Sequence, residues 1–369
     1  MCKEGNKKEI SILINALDNG GAENVCLNLA NSFINEGLDV TLVVLYESDK
    51  SMSKYLDPRI KLINLSVSRA RYAVFAIYKY LKEFEPVKLL VFNHQLLMIA
   101  ITYKLLLRKN FNIYSRGINT LSKELNSNAS FFNGKLMKNL IKLIYPRVDG
   151  VVCQSQGMKE DLIMLIPSLS GKVITINNPL NDRYKGIPVQ NVDDNDYVLF
   201  VGRLEKQKNL QMAVEIFNSL LEKSPSLDFY IVGEGSEEVA LKKLVYDLKL
   251  TDKVHFLGVI NDPKQLASLY FNAKATILTS LFEGFPNVLV ESISFGTPVV
   301  AFDCMSGPKD IILNKRNGYL INLNDSNEFK NKLLKTIETD WCRVDVANTI
   351  KHLDSKNVSK SYLSYMGLL

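Results

Sequence analysis

The sequence lacks paired cysteines, short repeats and low-complexity tracts. Its five cysteines, Cys2, Cys26, Cys153, Cys304 and Cys342, are scattered, and no two of them have metal-ligand spacing. No signal peptide is recognisable at the start, which together with the scattered thiols predicts a reduced, cytoplasmic protein whose cysteines are buried or idle. These absences count against a secreted disulfide scaffold.

An uninterrupted apolar run long enough to span a membrane is also missing. The most apolar stretch, LLVFNHQLLMIAITYKLLL at 89–107, is broken by polar residues that include Asn93 and His94. Placing such groups in hydrocarbon is costly. We therefore predict a buried strand at Lys88–Phe92, a polar loop and a core helix from about Leu96, and no transmembrane helix.

Acidic residues are scarce in the first half of the chain. Residues 1–190 hold 25 Lys and Arg against 16 Asp and Glu, whereas residues 191–369 hold 20 against 23. A basic half suits nucleic acid, anionic lipid or a phosphorylated substrate. A solvated surface with a random charge bias accounts for it as well.

The 369 residues are too many for one ordinary core and suit two domains of ~150–200 residues. Short apolar strands such as EISILINAL alternate with helical patterns, pause at PVQNVDDNDY (188–197), and resume at YVLFVG. This predicts an α/β protein with two doubly wound, Rossmann-like domains facing an interdomain cleft, covering 1–187 and 188–369. The last helix is free to pack back on the first domain. In such sheets ligands lie beyond the carboxyl ends of the strands.

Three glycine-rich loops follow predicted strands. In DNGGAEN, Gly20 and Gly21 would let backbone amides approach an anion near a helix N-terminus, or they form a tight turn. FVGRLEKQKNL places Arg203 and Lys208 after Gly202, which suits a diphosphate, although an exposed basic turn has the same pattern. IVGEGSE, with Gly233, is a nucleotide-facing loop or a structural turn. DNGGAEN has the spacing of neither a nicotinamide-cofactor motif nor a P-loop.

A fourth loop carries two carboxylates. In FEGFPNVLVE, Glu283 lies in the predicted loop and Glu291 roughly two turns along, on a helix that begins near Asn287. With no His or Asp nearby, the two form a poor metal site. Beside amides that favour anions, a carboxylate is tolerable where it accepts hydrogen bonds from hydroxyls, so the pair indicates a polyhydroxylated ligand.

Taken in order, GGAE, G-R-L-x-x-x-K-N, G-E-G and E-G-F-P-N-V-L-V-E resemble the retaining, nucleotide-sugar-dependent glycosyltransferases of family 4. The resemblance covers residues 9–340. It implies the GT-B fold and a UDP-sugar or related donor. It also implies that no metal or other cofactor is needed, because cations and a helix N-terminus neutralise the leaving diphosphate.

The resemblance also implies roles for individual residues. Glu283, Arg203 and Lys208 form the catalytic group, with Glu283 on the donor sugar and the two cations on its diphosphate. Glu291 accepts hydrogen bonds from the ribose hydroxyls. The remaining donor-binding positions are glycines and backbone amides: Gly20, Gly21, Gly202, Gly233, Phe285, Asn287, Val288 and Leu289.

The chain departs from the family where many relatives carry a histidine. The loop YSRGINTLSKE contains Arg116 and Asn119 instead, and His94 follows KLLVF. These three residues are acceptor candidates, but capping or packing explains them equally well. The sequence assigns no catalytic base.

Two basic–aromatic stretches, 69–84 and 131–147, are candidates for contact with anionic lipid, or for packing on the sheet. In the second, Lys135, Lys138 and Lys142 recur at helical spacing. We expect peripheral association with the inner face of the cytoplasmic membrane and a lipid-diphosphate-linked saccharide as acceptor, as in O-antigen or capsule synthesis. The alternatives are an inactive nucleotide-sugar-binding protein and a nucleic-acid-binding protein. We expect no nucleic-acid partner, because that function leaves four ordered motifs unexplained.

Overall fold

The protein is represented by a computed structural model. It describes residues 8–18, 20–48, 52–67, 72–117, 120–122, 139–189 and 196–369. The chain divides into two compact units. Unit 1 comprises the residues up to Pro179 together with Leu353–Leu369, and unit 2 comprises Leu180–His352.

Unit 1 is built on a seven-stranded sheet in which every described pairing is parallel, with strand order β3-β2-β1-β4-β5-β6-β7. Its strands are β1 Glu9–Ile14, β2 Asp39–Val44, β3 Lys61–Asn64, β4 Lys88–Phe92, β5 Asn112–Arg116, β6 Gly150–Cys153 and β7 Val173–Thr175. The helices named for unit 1 are α1 Gly21–Asn35, α2 Ala73–Glu83, α3 His94–Leu106, α4 Gln156–Leu165 and, from the chain's end, α12 Ser355–Tyr365.

The central strand β4 of unit 1 is apolar on both faces because a core lies on each side of the sheet. In β4, Leu89 and Val91 join one core, and Leu90 and Phe92 join the other. Successive side chains of a strand point to opposite faces, so a continuous apolar run fills two cores. This explains why the sequence shows no polar alternation.

The last helix, α12, packs into the second of these cores with α1. Tyr362 is buried against Phe33, with ring centroids 6.3 Å apart. The Tyr365 hydroxyl accepts a hydrogen bond of 3.2 Å from the Val151 amide. The boundary at 179/180 lies before the predicted 187/188, because Tyr184 packs on Tyr270 of unit 2.

Unit 2 repeats the architecture with a six-stranded sheet, again parallel, in the order β10-β9-β8-β11-β12-β13. Its strands are β8 Tyr197–Val201, β9 Asp228–Val232, β10 Val254–Gly258, β11 Ala275–Leu278, β12 Val299–Asp303 and β13 Gly318–Asn322. Its helices are α5 Leu210–Leu220, α6 Glu238–Asp247, α7 Pro263–Asn272, α8 Asn287–Ser294, α9 Pro308–Ile311, α10 Ser326–Glu338 and α11 Arg343–Asn348.

The apolar stretch after β4 folds as a strand and a helix, as predicted, but α3 begins at His94 and not near Leu96. The early start follows from Asn93, whose side-chain oxygen accepts a 2.7 Å hydrogen bond from the Gln95 amide and caps the helix. Across the described ranges, every helix is too short or too polar to cross a bilayer.

Candidate functional site

The closest contact between predicted site residues in unit 2 joins Lys208 and Glu283. The Lys208 Nζ lies 2.6 Å from the Glu283 Oε1, and only 15% and 7% of the two side chains are exposed. Lys208 ends the turn after β8, and Glu283 lies in the loop after β11. Since β8 and β11 are neighbours in a parallel sheet, their carboxyl ends bring the two charges together.

Backbone contacts fix this pair. The Thr279 hydroxyl donates to the Lys208 carbonyl at 2.9 Å, and the Gln207 side chain donates to the Phe282 carbonyl at 2.7 Å. The Leu281 amide donates to the Gln207 carbonyl at 2.9 Å. The two loops are therefore joined through main-chain carbonyls that accept these hydrogen bonds, so the position of the ion pair is built into the fold.

Two glycines allow β8 and β9 to end close together. Gly233 has φ of +132°, and a Cβ at this position would lie 1.9 Å from the Gly202 carbonyl oxygen. The Gly202 amide donates to the Val232 carbonyl at 3.0 Å. This close approach requires glycine for the fold itself. Arg203 follows Gly202 with its side chain exposed at the same edge.

The loop Gly284–Pro286 is buried and leads directly into α8, whose first residue is Asn287. The Leu289 side chain is fully buried, and its amide donates to the Pro286 carbonyl at 3.0 Å. The Leu289 amide thus already has an acceptor within the fold, and its predicted contact with the donor stays a prediction. The first-turn amides of Asn287 and Val288 lie at the helix N-terminus, where amides point away from the helix. Phe285 is buried, so its ring belongs to the fold as well.

Glu291 has partners quite different from those of Glu283. The Tyr270 hydroxyl donates to the Glu291 Oε2 at 2.9 Å, and the side chains of Asn181 and Tyr184 also hydrogen-bond this carboxylate. Burial raises the pKa of Glu291 to about 7, although the Tyr270 and Asn181 hydrogen bonds, the Arg183 charge and the Tyr184 hydrogen bond oppose the rise.

Sequence reasoning missed these tyrosine and asparagine partners. Tyr270 lies on α7 and Tyr184 on the turn Asp182–Tyr184, far from the motif that contains Glu291. No local pattern links the three segments, because the tertiary fold alone brings them together. The aromatic residues around 270 look like an ordinary core pattern.

In unit 1, Gly20 is the residue before α1, with φ of −116°, an extended conformation open to other residues. Its amide already donates to the Asp18 carbonyl at 2.9 Å. A Cβ on Gly20 would lie 2.2 Å from the Glu23 Oε2, so glycine here accommodates a side chain folded back over the turn. Gly21 is the first residue of α1, so its amide lies at the helix N-terminus. The contact of these two glycines with an anion stays a prediction.

Arg116 lies inside unit 1, with 2% of its surface exposed. Its Nη2 donates to the Asn178 Oδ1 at 2.7 Å, and its guanidinium lies 4.7 Å from the centre of the Phe92 ring. It also hydrogen-bonds Tyr362. This burial argues against the predicted acceptor contact: Arg116 joins the sheet to α12.

His94, the first residue of α3, is partly buried and lines a small cavity in unit 1. Asn93, Ser115 and Gly117 form the polar part of that cavity, and apolar side chains that include Met158 form the rest. The third acceptor candidate, Asn119, lies outside the described residues. Nor do the described parts of the chain gather three or more His, Cys, Asp or Glu side chains where they could hold a metal ion.

Two family models match consecutive parts of the chain. "Glycosyltransferase Family 4" matches residues 19–184, and "Glycosyl transferases group 1" matches residues 186–352. The two matches meet within a few residues of the boundary between the units.

Relatives of named activity align with much of the chain. The chain is 31% identical over 249 residues to an N-acetylgalactosaminyltransferase of Campylobacter jejuni that acts on an N-acetylgalactosamine-N,N'-diacetylbacillosaminyl-diphospho-undecaprenol. That alignment covers 64% of this chain and 64% of the relative, so the chain spans somewhat under two thirds of that protein. It is 26% identical over 328 residues to the lipopolysaccharide 1,6-galactosyltransferase of Salmonella typhimurium, covering 86% of each.

A solved structure shares the fold. The HepE protein of Anabaena in complex with UDP-glucose superimposes with a TM-score of 0.78, at 18% identity, over 98% of this chain and all of that one. The shared fold confirms both predicted Rossmann-like sheets and the GT-B fold, and the two matched family models confirm the predicted family. Because the two family models match consecutive segments that together cover most of the chain, and because the chain has the GT-B fold, it belongs to glycosyltransferase family 4.

Proposed function

We propose that the protein is a retaining glycosyltransferase that moves a hexose or N-acetylhexosamine from a nucleoside diphosphate sugar, with UDP-sugars as the first choice. The acceptor is a lipid-diphosphate-linked saccharide of bacterial O-antigen or capsule synthesis. The observation that carries this proposal is the Lys208–Glu283 pair, enclosed by backbone contacts at the carboxyl edge of the second sheet. The name of the Campylobacter relative, which contains a diphospho-undecaprenol, supports the acceptor class, and that of the Salmonella relative supports surface-polysaccharide synthesis.

Unit 2 binds the donor in this proposal. The Lys208 ammonium has three donors, so it can hold Glu283 and a phosphate oxygen together. Arg203, exposed after Gly202, supplies a second cation with a planar fork for phosphate. The N-terminus of α8, which begins at Asn287, adds amide donors and a positive dipole.

The chemical step follows from these charges. The bond between the anomeric carbon and the bridging phosphate oxygen breaks, and its electron pair leaves with the diphosphate. The acceptor hydroxyl oxygen bonds the same carbon on the same face, and its proton passes to the departing phosphate oxygen. Lys208 and Arg203 stabilise the charge on the leaving group, and Glu283 orients the sugar and stabilises positive charge at the anomeric carbon.

We propose that transfer is metal-independent, because these protein groups perform the neutralisation that a divalent cation performs elsewhere. Transfer should then proceed at an unchanged rate in EDTA. A rate that collapses in EDTA and returns with Mg²⁺ or Mn²⁺ would overturn this part.

In this proposal the protein is cytoplasmic, and unit 1 binds the acceptor and contacts the inner face of the cytoplasmic membrane. On α2, Ile77 and Leu81 are buried, whereas 82% of Phe75 and 59% of neighbouring Tyr72 are exposed. Lys79 lies on the same helix with 74% of its side chain exposed. An aromatic side beside lysines suits an anionic lipid surface. Of the second basic stretch, Lys142 is exposed, and Lys135 and Lys138 lie outside the described residues.

Vesicle sedimentation tests this membrane contact. Phe75→Glu should reduce binding to anionic vesicles severalfold and leave transfer to a water-soluble acceptor unchanged. Val239→Glu is the matched control, since Val239 is equally exposed, at 82%, but lies in unit 2. Equal vesicle binding by both variants would overturn the contact through α2.

A donor and acceptor screen tests the proposed function. UDP- and GDP-sugars are combined with short lipid-diphosphate saccharides, and products are identified by mass and by the anomeric configuration in NMR spectra. The expected product keeps the donor's configuration. Failure of every nucleotide sugar would overturn the proposal, and donor binding without transfer would favour an inactive nucleotide-sugar-binding protein.

A further inference from the structure

The Glu291 carboxylate accepts hydrogen bonds from three side chains of the protein. Besides the Tyr270 hydroxyl at 2.9 Å, the side chains of Tyr184 and Asn181 bond it. These donors come from two separate segments, the turn at 182–184 with its preceding residue and α7. Convergence of separate segments on one carboxylate indicates a built site, because burying a lone carboxylate is costly unless it is hydrogen-bonded.

The tyrosine rings hold their hydroxyls in place. Tyr270 is fully buried, and its ring stacks on Phe295 with centroids 6.1 Å apart. The Tyr184 ring meets the Phe295 ring edge-on at 5.5 Å and the Tyr270 ring at 6.4 Å. Three mutually packed rings leave the two hydroxyls little freedom, so the carboxylate is held in one orientation.

The carboxylate keeps capacity for a ligand. An ionised carboxylate offers about four lone-pair sites, and the three hydrogen bonds named above use three of them. A hydroxyl is the group that such a site accepts. If position 291 had only a structural role, a glutamine amide would accept the same hydrogen bonds without the cost of burying a charge.

We propose that Tyr270 and Tyr184 are positioning residues, which orient the Glu291 carboxylate to accept a hydrogen bond from the ribose of the donor nucleotide. This inference rests on the proposed function and names the side chains that set its nucleotide affinity. Neither tyrosine touches the reacting atoms. Their loss should therefore weaken binding and leave the chemical step intact.

Calorimetric titration of the whole protein with UDP, and with GDP where UDP fails to bind, tests the inference across about pH 5 to 9. Tyr270→Phe and Tyr184→Phe should each weaken nucleotide binding about tenfold near neutral pH, as expected for losing one hydrogen bond to a charged group. The pH below which binding weakens should also move upward, because each removed hydroxyl had favoured the ionised carboxylate. With an active donor, KM should rise and kcat should stay within about twofold.

Tyr197→Phe is the matched control. Tyr197 is also fully buried in unit 2, and its hydroxyl donates to the Leu269 carbonyl at 2.8 Å. This variant loses a buried hydrogen bond without removing a donor to Glu291, so its nucleotide affinity and pH profile should match those of the unmodified protein.

A double-mutant cycle with Glu291→Gln decides whether the tyrosines act through the carboxylate. In the Glu291→Gln background, Tyr184→Phe should cause no further loss of affinity. An unmodified protein that binds neither nucleotide would overturn the proposed function together with this role. Binding by the unmodified protein, with unchanged affinity and pH profile in the tyrosine variants, would overturn the positioning role alone. Should Tyr270→Phe fail to fold, Tyr184→Phe completes the test.

Discussion

At the scale of single residues, Glu283 and Glu291 lie eight positions apart in the sequence but have different hydrogen-bond and ion-pair partners. Glu283 is paired with the Lys208 ammonium, whose Nζ lies 2.6 Å from the Glu283 Oε1. Glu291 has hydroxyl and amide donors instead, and burial raises its pKa to about 7. The two carboxylates therefore have separate sets of partners within unit 2.

The raised pKa of Glu291 predicts a pH dependence of folding stability. The folded state binds this proton up to about pH 7, whereas the ordinary pKa of the group is 4.5. The folded state thus holds more protons than the unfolded state in that window, and stability falls as pH rises through it. Glu291→Gln should remove this fall, which is on the order of 1–3 kcal/mol. Denaturant unfolding at several pH values measures it, and identical slopes for both proteins would contradict the prediction.

The Lys208–Glu283 pair predicts a non-additive effect on stability. Lys208→Met leaves a nearly buried carboxylate without its cation, and Glu283→Gln leaves the ammonium without its anion, so each should cost roughly 1–3 kcal/mol. The double variant should be more stable than the sum of the two losses implies, because no unpaired charge remains. Each single variant should also lose at least about a hundredfold in kcat/KM.

Lys242 and Glu238 on α6 provide the matched pair for this measurement. Their side chains also lie 2.6 Å apart, but 54% and 33% of them are exposed. The corresponding variants Lys242→Met and Glu238→Gln should change stability by less than about 0.5 kcal/mol and leave activity intact. Equal losses at both pairs would show that burial is not what makes the Lys208–Glu283 pair matter.

At the scale of helices and strands, periodicity predicted most elements because parallel strands buried on both faces read as unbroken apolar runs. The strand Lys88–Phe92 has its predicted bounds, and α8 begins at Asn287 as expected. The start of α3 was predicted wrongly because a single side chain, Asn93, caps it. Of the site, the order of the motifs predicted Lys208 and Glu283. Tyr184 and Tyr270 could not be predicted, because only tertiary packing brings them to Glu291.

The junction between β8 and β9 predicts a strict requirement for glycine at 233. An added Cβ would overlap the Gly202 carbonyl, and φ of +132° is itself unfavourable for any side chain. Gly233→Ala should destabilise unit 2 by about 3 kcal/mol or more and displace the loop that carries Arg203. Gly171→Ala is the control, since a Cβ there meets nothing within 4 Å. Equal melting temperatures for the two variants would contradict this account.

At the scale of the whole molecule, the end of the chain returns to unit 1, where α12 packs against α1. The sequence predicted two domains from the pause in its pattern near residue 190, but contacts place 180–187 with unit 2. Composition cannot locate such a boundary, because Tyr184 belongs to unit 2 through its packing on the rings of Tyr270 and Phe295. The burial of Arg116 has a related origin: its partners include Tyr362, far along the chain, on the returning helix.

This return predicts that α12 stabilises unit 1 selectively. Tyr362 is buried against Phe33, and Leu363 and Met366 lie in the same core. Tyr362→Ala should therefore cost about 3–5 kcal/mol. Because its contacts belong to unit 1, hydrogen exchange should accelerate in α1 and β1 and stay unchanged in the strands of unit 2. Tyr246→Ala on α6, a tyrosine 73% exposed, should change neither. Acceleration spread evenly over both sheets would mean that the two units unfold as one, and that α12 stabilises the whole chain.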